Sequence, residues 1–364
     1  MFLNKIDLQG NMSCRSNIAI QLIILFLLII CSSQVRASDK TTELVILNWS
    51  EYMDAEMIAA FEKKHRAMVK HIYFESDDHR DQILLQTGGK GFDLILANGI
   101  VIESYRKRKW IQPVSIDQVP NIKLIENRWK DSFKSAIGYG VPYFWGTLGI
   151  AYRKDLVSEP ITSWKQLFNP SKELQGKILM VKSSRDIIGM ALKSLGYSAN
   201  SENIDELRQV EELLSSQKPH VFRFGYISLD ETSSIVKGNI VAATVYGGDA
   251  LVAAEHNKNI VYVLPEEGGN IWVDFFTIAA QSKHPELAAA FLDFINQPKW
   301  AAKNAEESYL ATTNREAKKL LPAEFLQDSV IYPDSKLLIR SEFYKKLSPR
   351  SMRQRASIFA RTVK

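Results

Sequence analysis

From residue 43 onward, short apolar runs of strand length alternate with segments whose apolar residues recur at helical spacing. That alternation constrains the fold more than any other feature. Glu43–Asn48 reads as a buried strand, Ala55–His65 as a helix with Met57, Ile58 and Phe61 on one face, and Val69–Phe74 as a second strand. Asp81–Gln86 follows as a short helix, Phe92–Ala97 as a third strand after a glycine-rich turn, and Ile100–Arg108 as a helix. The second half repeats the rhythm: strand Ile178–Val181, helix Arg185–Leu195 with Gly196 as its stop, and helix Ile204–Ser215. Strands Ile240–Val245, Ile260–Leu264 and Val273–Ala279 come next, then the amphipathic helix Pro285–Ile295. Repeated β-α-β units predict an α/β fold with a parallel sheet covered by helices on both faces. Such sheets bind ligands beyond the carboxyl ends of their strands, so the residues just after each strand carry the functional information. No flexible linker separates the halves, as expected for two lobes joined by short strands.

The start of the chain reads differently. Arg15 precedes an apolar run from Ile18 to Cys31 broken only by Gln21, and Val35-Arg36-Ala37 fits a signal-peptidase site. The run is shorter than the ~20 apolar residues that span a bilayer comfortably. Export with cleavage near Ala37 is the expectation. An uncleaved anchor and a start at Met12 are the open alternatives, and Leu28-Ile29-Ile30 lacks the small residue usual before a lipid-modified Cys31. Both cysteines, Cys14 and Cys31, fall in this leader, so the mature protein would have no disulfide, thiolate nucleophile or cysteine-bound metal.

Charge narrows the class further. The formal net charge is +5; residues 1–37 hold Lys5, Arg15 and Arg36 against Asp7, which leaves 43 basic and 40 acidic residues beyond them. That near balance, mixed along most of the chain, gives no reason to expect nucleic acid as a partner. The exception is Lys345–Lys364, with seven Lys or Arg and no acid. It reads as a terminal helix packing through Met352, Ile358 and Phe359, with docking to a membrane or transporter surface as the alternative.

Catalytic signatures are scarce. There is no G-x-S-x-G, the six histidines show no metal-ligand spacing, and Gly88-Gly-Lys-Gly91 lacks the Gly-Lys-Ser/Thr ending of a phosphate loop. S-x-x-K occurs at Ser104–Lys107, Ser215–Lys218 and Ser234–Lys237, always without its S-D-N or K-T-G companions. No catalytic residue, metal or cofactor is expected. The strand ends are richer: Asn48-Trp49-Ser50-Glu51-Tyr52, Tyr246-Gly-Gly-Asp249, and Trp272 two residues before Asp274. An aromatic face attracts an ammonium by about 0.5–2 kcal/mol, and a carboxylate adds a charge-assisted hydrogen bond of about 1.5–3 kcal/mol. Aromatics beside two or three carboxylates suit a flexible dication. Each group also has a bland role: Trp49 and Tyr52 as caps on the sheet, Asp249 as a helix N-cap. Asp274 is the exception, because an acid in an apolar strand needs a partner.

Together these segments resemble the bacterial periplasmic spermidine/putrescine-binding proteins. The resemblance runs from about Leu44 to Leu347 through Asn48-Trp-Ser-Glu-Tyr52, Phe92-Asp-Leu-Ile95, Val141-Pro-Tyr-Phe-Trp-Gly146 and Ser163-Trp164. It continues through Met190–Ser198, Pro265-Glu-Glu-Gly-Gly269, Trp272-Val-Asp274 and Tyr332-Pro-Asp334. It implies a monomeric two-lobed, cluster-D-like periplasmic binding fold that closes over a polyamine and delivers it to an ABC permease with its ATPase. The implied lobes are residues 38–145 with 273–318, and 146–272 with 319–364, after a signal peptide over 1–37. By position, Trp49 and Tyr52 would be aromatic walls, with Ser50 and Glu51 on the same loop. Trp272 would stack on the methylenes, Asp274 would hold one ammonium, and Asp186, at a family glutamate, the other. Tyr246 replaces a usual tryptophan, and Asp249 matches an acid of putrescine-preferring members. Asn98-Gly99-Ile100 replaces a serine and, two positions on, a tyrosine; Ser183 replaces an aspartate, and Tyr344 replaces a glutamine. These departures favour a diamine or mixed specificity. A binding protein for another polar solute, a sensor that feeds no importer, and an enzyme are the rival readings.

Overall fold

A computed structural model describes residues 41–363. The segment expected to be a leader, its expected cleavage site and both cysteines lie outside the described residues. The twelve strands among the described residues form one mixed sheet. Nine of them concern the site: β1 (Thr42–Asn48), β2 (Ala67–Tyr73), β3 (Leu94–Asn98), β4 (Gly140–Arg153), β5 (Ile178–Met180), β6 (Val221–Phe224), β7 (Ala242–Tyr246), β8 (Ile260–Val263) and β9 (Asn270–Ala279). Their order is β2-β1-β3-β9-β4-β7-β5-β6, with β8 also on β4. The expected all-parallel sheet is corrected here. Pairs β1–β3, β5–β6 and β5–β7 are parallel, but β9 runs antiparallel to β3 and β4, and β4 antiparallel to β7 and β8. Two long strands that return through the middle of the sheet impose this, since a βαβ crossover is not the connection that makes them neighbours.

Two main apolar cores lie along this sheet. One gathers Leu44, Leu84, Ile102, Tyr105 and Trp145 with Val273 and Phe276; the other gathers Leu148, Ile150, Met180, Ile187 and Ile188 with Tyr344 and Ile358. Strand β4 feeds both, Val141–Trp145 into the first and Leu148–Tyr152 into the second. It is continuously buried rather than alternating, as expected for a strand covered on both faces.

Three of the helices that frame the site, α1, α2 and α4 below, start where a side chain satisfies a free N–H group. Helix α1 (Ala55–His65) starts at Asp54, whose Oδ1 accepts from Met57 N at 2.7 Å. Helix α2 (Asp77–Thr87) starts at Ser76, whose Oγ accepts from His79 N at 3.1 Å, and stops at Gly88 in the left-handed region. This helix begins four residues before the expected Asp81. Helix α3 spans Ile102–Lys107, α4 Ser184–Ser194 and α5 Gly247–His256. The N-cap of α5 is Tyr246, so Asp249 is not the cap considered for it. The terminal helix α6 (Pro349–Thr362) packs through Ile358 and Phe359. Met352 is 58% exposed and does not pack as expected.

Candidate functional site

The site grows from the ends of β1, β3, β7 and β9 and the first turns of α2, α4 and α5. Asn48 is the last residue of β1; Glu51, at φ 55°, then reverses the chain so that Tyr52 faces back over the sheet. Asp274 lies opposite Asn98 in the β9–β3 ladder. The Tyr52 hydroxyl donates to Asp274 Oδ2 at 3.0 Å, which is the partner its buried position demands. That single bond does not offset the burial. Desolvation, with the charge of Asp77 added, pushes the Asp274 carboxyl up to about 7, while Tyr52 and Arg80 oppose the shift.

On the second core, Ser183 caps α4 by accepting from Asp186 N at 3.3 Å, and Asp186 is 5% exposed in the first turn. The Tyr246 hydroxyl donates to Asp186 Oδ2 at 3.2 Å. Burial again raises the carboxyl, and the Ser183 hydroxyl lowers it. The Tyr344 hydroxyl is buried beside Asp186, close enough to bear on its charge, without a well-formed hydrogen bond. Asp249 lies in the first turn of α5, half-buried at the cleft wall, and burial alone pushes it up to about 6.

Aromatic surfaces bound these acids. Tyr246 and Trp272 meet edge to face, centroids 6.3 Å apart. Trp272 sits over Gly146, its partner across β9–β4, where a Cβ would come within 2.6 Å of the indole; its Nε1 is buried and unpaired. Trp49 packs on Phe74 at 4.4 Å, and Phe74 in turn carries the Arg80 guanidinium at 5.4 Å.

Asp186, Tyr246, Asp249, Trp272, Asp274, Tyr52 and Tyr344 thus come to one cleft. Ser50 and Glu51 stand exposed on the turn. Asn98 and Ser183 are beside the cleft but are occupied. The Asn98 amide donates to Asp77 Oδ2 at 2.6 Å and its Oδ1 accepts from Ile100 N at 3.2 Å, while Ser183 is the helix cap.

Sequence reasoning missed Asp77, Arg80, Arg185 and Tyr226. Arg80 is 1% exposed and lies between Asp77 (2.6 Å) and Asp81 (3.2 Å), and its Nε donates to the Tyr105 hydroxyl at 2.8 Å. Arg185 approaches Asp77 Oδ2 at 3.6 Å. These cations and Asn98 hold Asp77 below the usual carboxylate range, against a desolvation effect that acts in the other direction. Its charge in turn raises Asp274, Asp186, Tyr226 and Tyr246, so it stands within electrostatic reach of groups on both cores. The available signal was Ser76-Asp77-Asp78 shortly after a strand, a capping pattern that lies ahead of the expected helix start at Asp81.

Two lobes around an acidic, aromatic-walled cleft define a protein that encloses a small solute. The chain belongs to the bacterial extracellular solute-binding protein family, whose description matches residues 56–332. It is 28% identical over 342 residues to the norspermidine sensor of Vibrio cholerae, covering 93% of this chain and 94% of that one. It is 28% identical over 313 residues to the spermidine/putrescine-binding periplasmic protein of Escherichia coli, covering 85% and 88%. Among solved structures, the spermidine/putrescine ABC transporter substrate-binding protein of Streptococcus pneumoniae superposes with TM-score 0.78 at 28% identity, over 88% of this chain and 98% of that one. With that structure the chain shares the two-lobed fold of periplasmic solute-binding proteins. Among the described residues no helix is long and apolar enough to cross a membrane.

Proposed function

We propose that this protein is the exported solute-binding component of a polyamine importer, capturing putrescine or spermidine between its lobes and presenting it to a membrane permease driven by an ATPase. The observation that carries this is the state of three cleft carboxylates. Asp186, Asp249 and Asp274 are all pushed toward protonation by burial, and none of them forms an ion pair among the described residues. A group in that condition gains most from a cation brought in from outside. Tyr52, Tyr246, Trp272 and Trp49 supply the apolar and π surface a methylene chain needs between its charges. The spermidine/putrescine binding named for the relatives agrees with this chemistry.

In this reading the lobes are residues 38–145 with 273–318, and 146–272 with 319–364, and the leader is removed near Ala37. The chain acts as a monomer and holds its ligand without transforming it, with neither metal nor cofactor. Asp274 takes one ammonium, Asp186 another, and Asp249 the same ligand from the second lobe. Ser50, Glu51, Asn98, Ser183 and Tyr344 complete the lining. Asn98 and Ser183 act through the residues they position, because their own groups are engaged. A second reading, a periplasmic sensor, is favoured by the 93% of this chain that aligns with the norspermidine sensor.

The test is calorimetric titration of the mature protein with putrescine, cadaverine, spermidine and norspermidine. Micromolar or tighter binding of one amine supports the class and names the ligand; silence with all four sinks the polyamine assignment. Uptake of the bound amine, labelled, by cells with and without the protein separates importer from sensor.

A further inference from the structure

Two ion pairs join elements of the first core to elements of the second. Helices α2 and α3 bury Leu84, Ile102 and Tyr105 in the first core, and α4 buries Ile187 and Ile188 in the second. Arg185 of α4 reaches Asp77 of α2, Nη1 to Oδ2 at 3.6 Å. Lys346 reaches Glu103 of α3, Nζ to Oε2 at 2.9 Å. Lys346 is fixed to the second lobe on both sides. Lys345 N donates to Asn200 Oδ1 at 2.7 Å, and Ser348 N donates to Glu202 at 3.1 Å.

Charge bookkeeping within the first lobe explains why Asp77 looks across the cleft. Arg80 is one buried cation between two carboxylates, Asp77 and Asp81. One negative charge is left over, and Asn98 fixes the Asp77 oxygen that faces Arg185. Both pairs have the same polarity, acid on the first lobe and base on the second. Glu103 is shared, since its Oε1 meets Lys107 of its own helix at 2.7 Å, so the net attraction across the rim rests mainly on the charge left over at Asp77.

We infer that Asp77–Arg185 and Glu103–Lys346 form a clasp that draws the lobes together over the cleft and sets how firmly any ligand is retained, without itself recognising the ligand. All four side chains are at least a third exposed, from 35% for Glu103 to 56% for Lys346. Salt therefore screens the clasp, and each pair alone contributes modestly. The inference concerns closure and stands whether or not the ligand is a polyamine.

Small-angle scattering of the ligand-free mature protein tests it directly. At low salt, Lys346→Glu and Arg185→Gln are expected to have a larger radius of gyration than the wild type. The wild type itself should expand in 1 M NaCl as the Debye length falls to about 3 Å. The exchange Glu103→Lys with Lys346→Glu should restore the compact value. Calorimetry adds the ligand arm. Lys346→Glu should weaken putrescine and cadaverine, equal in charge, by the same factor of roughly two to five at 0.15 M salt, leaving their ratio unchanged. Radii that ignore both variants and salt would overturn the clasp. So would an exchange variant as open as Lys346→Glu, or a changed putrescine-to-cadaverine ratio, since the latter means the pair meets the ligand. A protein that binds no amine fails the functional reading while the scattering still decides the clasp.

Discussion

Replacing Asp274 by Asn tests the cost the fold carries to keep the cleft ready. The Asp274 carboxyl stands at about 7 rather than at 3.8, chiefly through desolvation. One pH unit is about 1.4 kcal/mol, so ionising this group in the folded protein costs about 4 kcal/mol more than in the unfolded chain. The sign follows from proton counts. Between pH 3.8 and about 7 the folded state holds more protons than the unfolded state, so this group makes stability fall as pH rises through that window and then level off. Asn has no such cost, and its Oδ1 can still accept from the Tyr52 hydroxyl. Ligand-free Asp274→Asn is therefore expected to be more stable than wild type at pH 8, by about 2–4 kcal/mol, with the gap shrinking toward zero at pH 4. In thermal unfolding this is a gain of several degrees at pH 8. The same variant should bind amine at least tenfold more weakly, since a charge-assisted hydrogen bond of about 1.5–3 kcal/mol is lost. A variant less stable than wild type at pH 8, or one whose advantage does not shrink with acid, refutes the reasoning.

Three further outcomes follow from the same geometry. Amine affinity of the wild type should fall as pH drops below about 7 and more steeply below about 6, as Asp274 and then Asp249 take up protons; titrations at pH 8, 6.5 and 5 measure it. Gly146→Ala puts a Cβ 2.6 Å from Trp272 Cζ2, so the indole must move. Ligand binding should weaken by roughly tenfold with an altered tryptophan emission, while the melting temperature changes little. Gly268 has φ +78°, and a Cβ there would lie 2.4 Å from the carbonyl of Arg340, where only backbone could yield. Gly268→Ala should cost about 2–4 kcal/mol in chemical denaturation.

The alternation of strand and helix was legible because burial sets period directly, as in β1, α1 and Pro285–Ile295. Strand direction was not: β9 looks the same whether it runs parallel or antiparallel to β3, since both faces are buried either way. Strand β4 was hidden for a related reason, as Gly140, Pro142, Gly146 and Gly149 interrupt its apolar run, and their use lies in neighbours far along the chain. Within the site, residue type indicated aromatics and acids at strand ends, and the fold brings most of them together. It did not indicate which polar groups would be spent on each other. Asn98 and Ser183 suit a ligand in sequence and are committed to Asp77 and to the Asp186 N–H in space. Asp77 is the converse, an acid outside the expected helix that comes to face Arg185 and Asn98 because Ser76 starts a helix there.

The division of labour among the four acids limits what can fill the cleft. Asp77 already has Arg80, Asn98 and Arg185, and adding a cation there means displacing the protein's own. Asp186, Asp249 and Asp274 have only hydroxyl donors or none, so these are the groups a ligand can relieve. They are held by different elements, the starts of α4 and α5 and the middle of β9. Among the described residues no three acids or histidines converge so as to hold one metal ion. A compact cation can therefore neutralise one carboxylate and leave the others as costly as before. Relief of all three requires positive charges spaced along one molecule, with apolar surface between them to meet Trp272 and Tyr246. That requirement favours three ammonium groups over two, against the diamine or mixed preference suggested by the lost acid at Ser183 together with the gain of Asp249. The ratio of spermidine to putrescine affinity decides between them: a ratio well above one is expected here, and Asp249→Asn should bring it toward one.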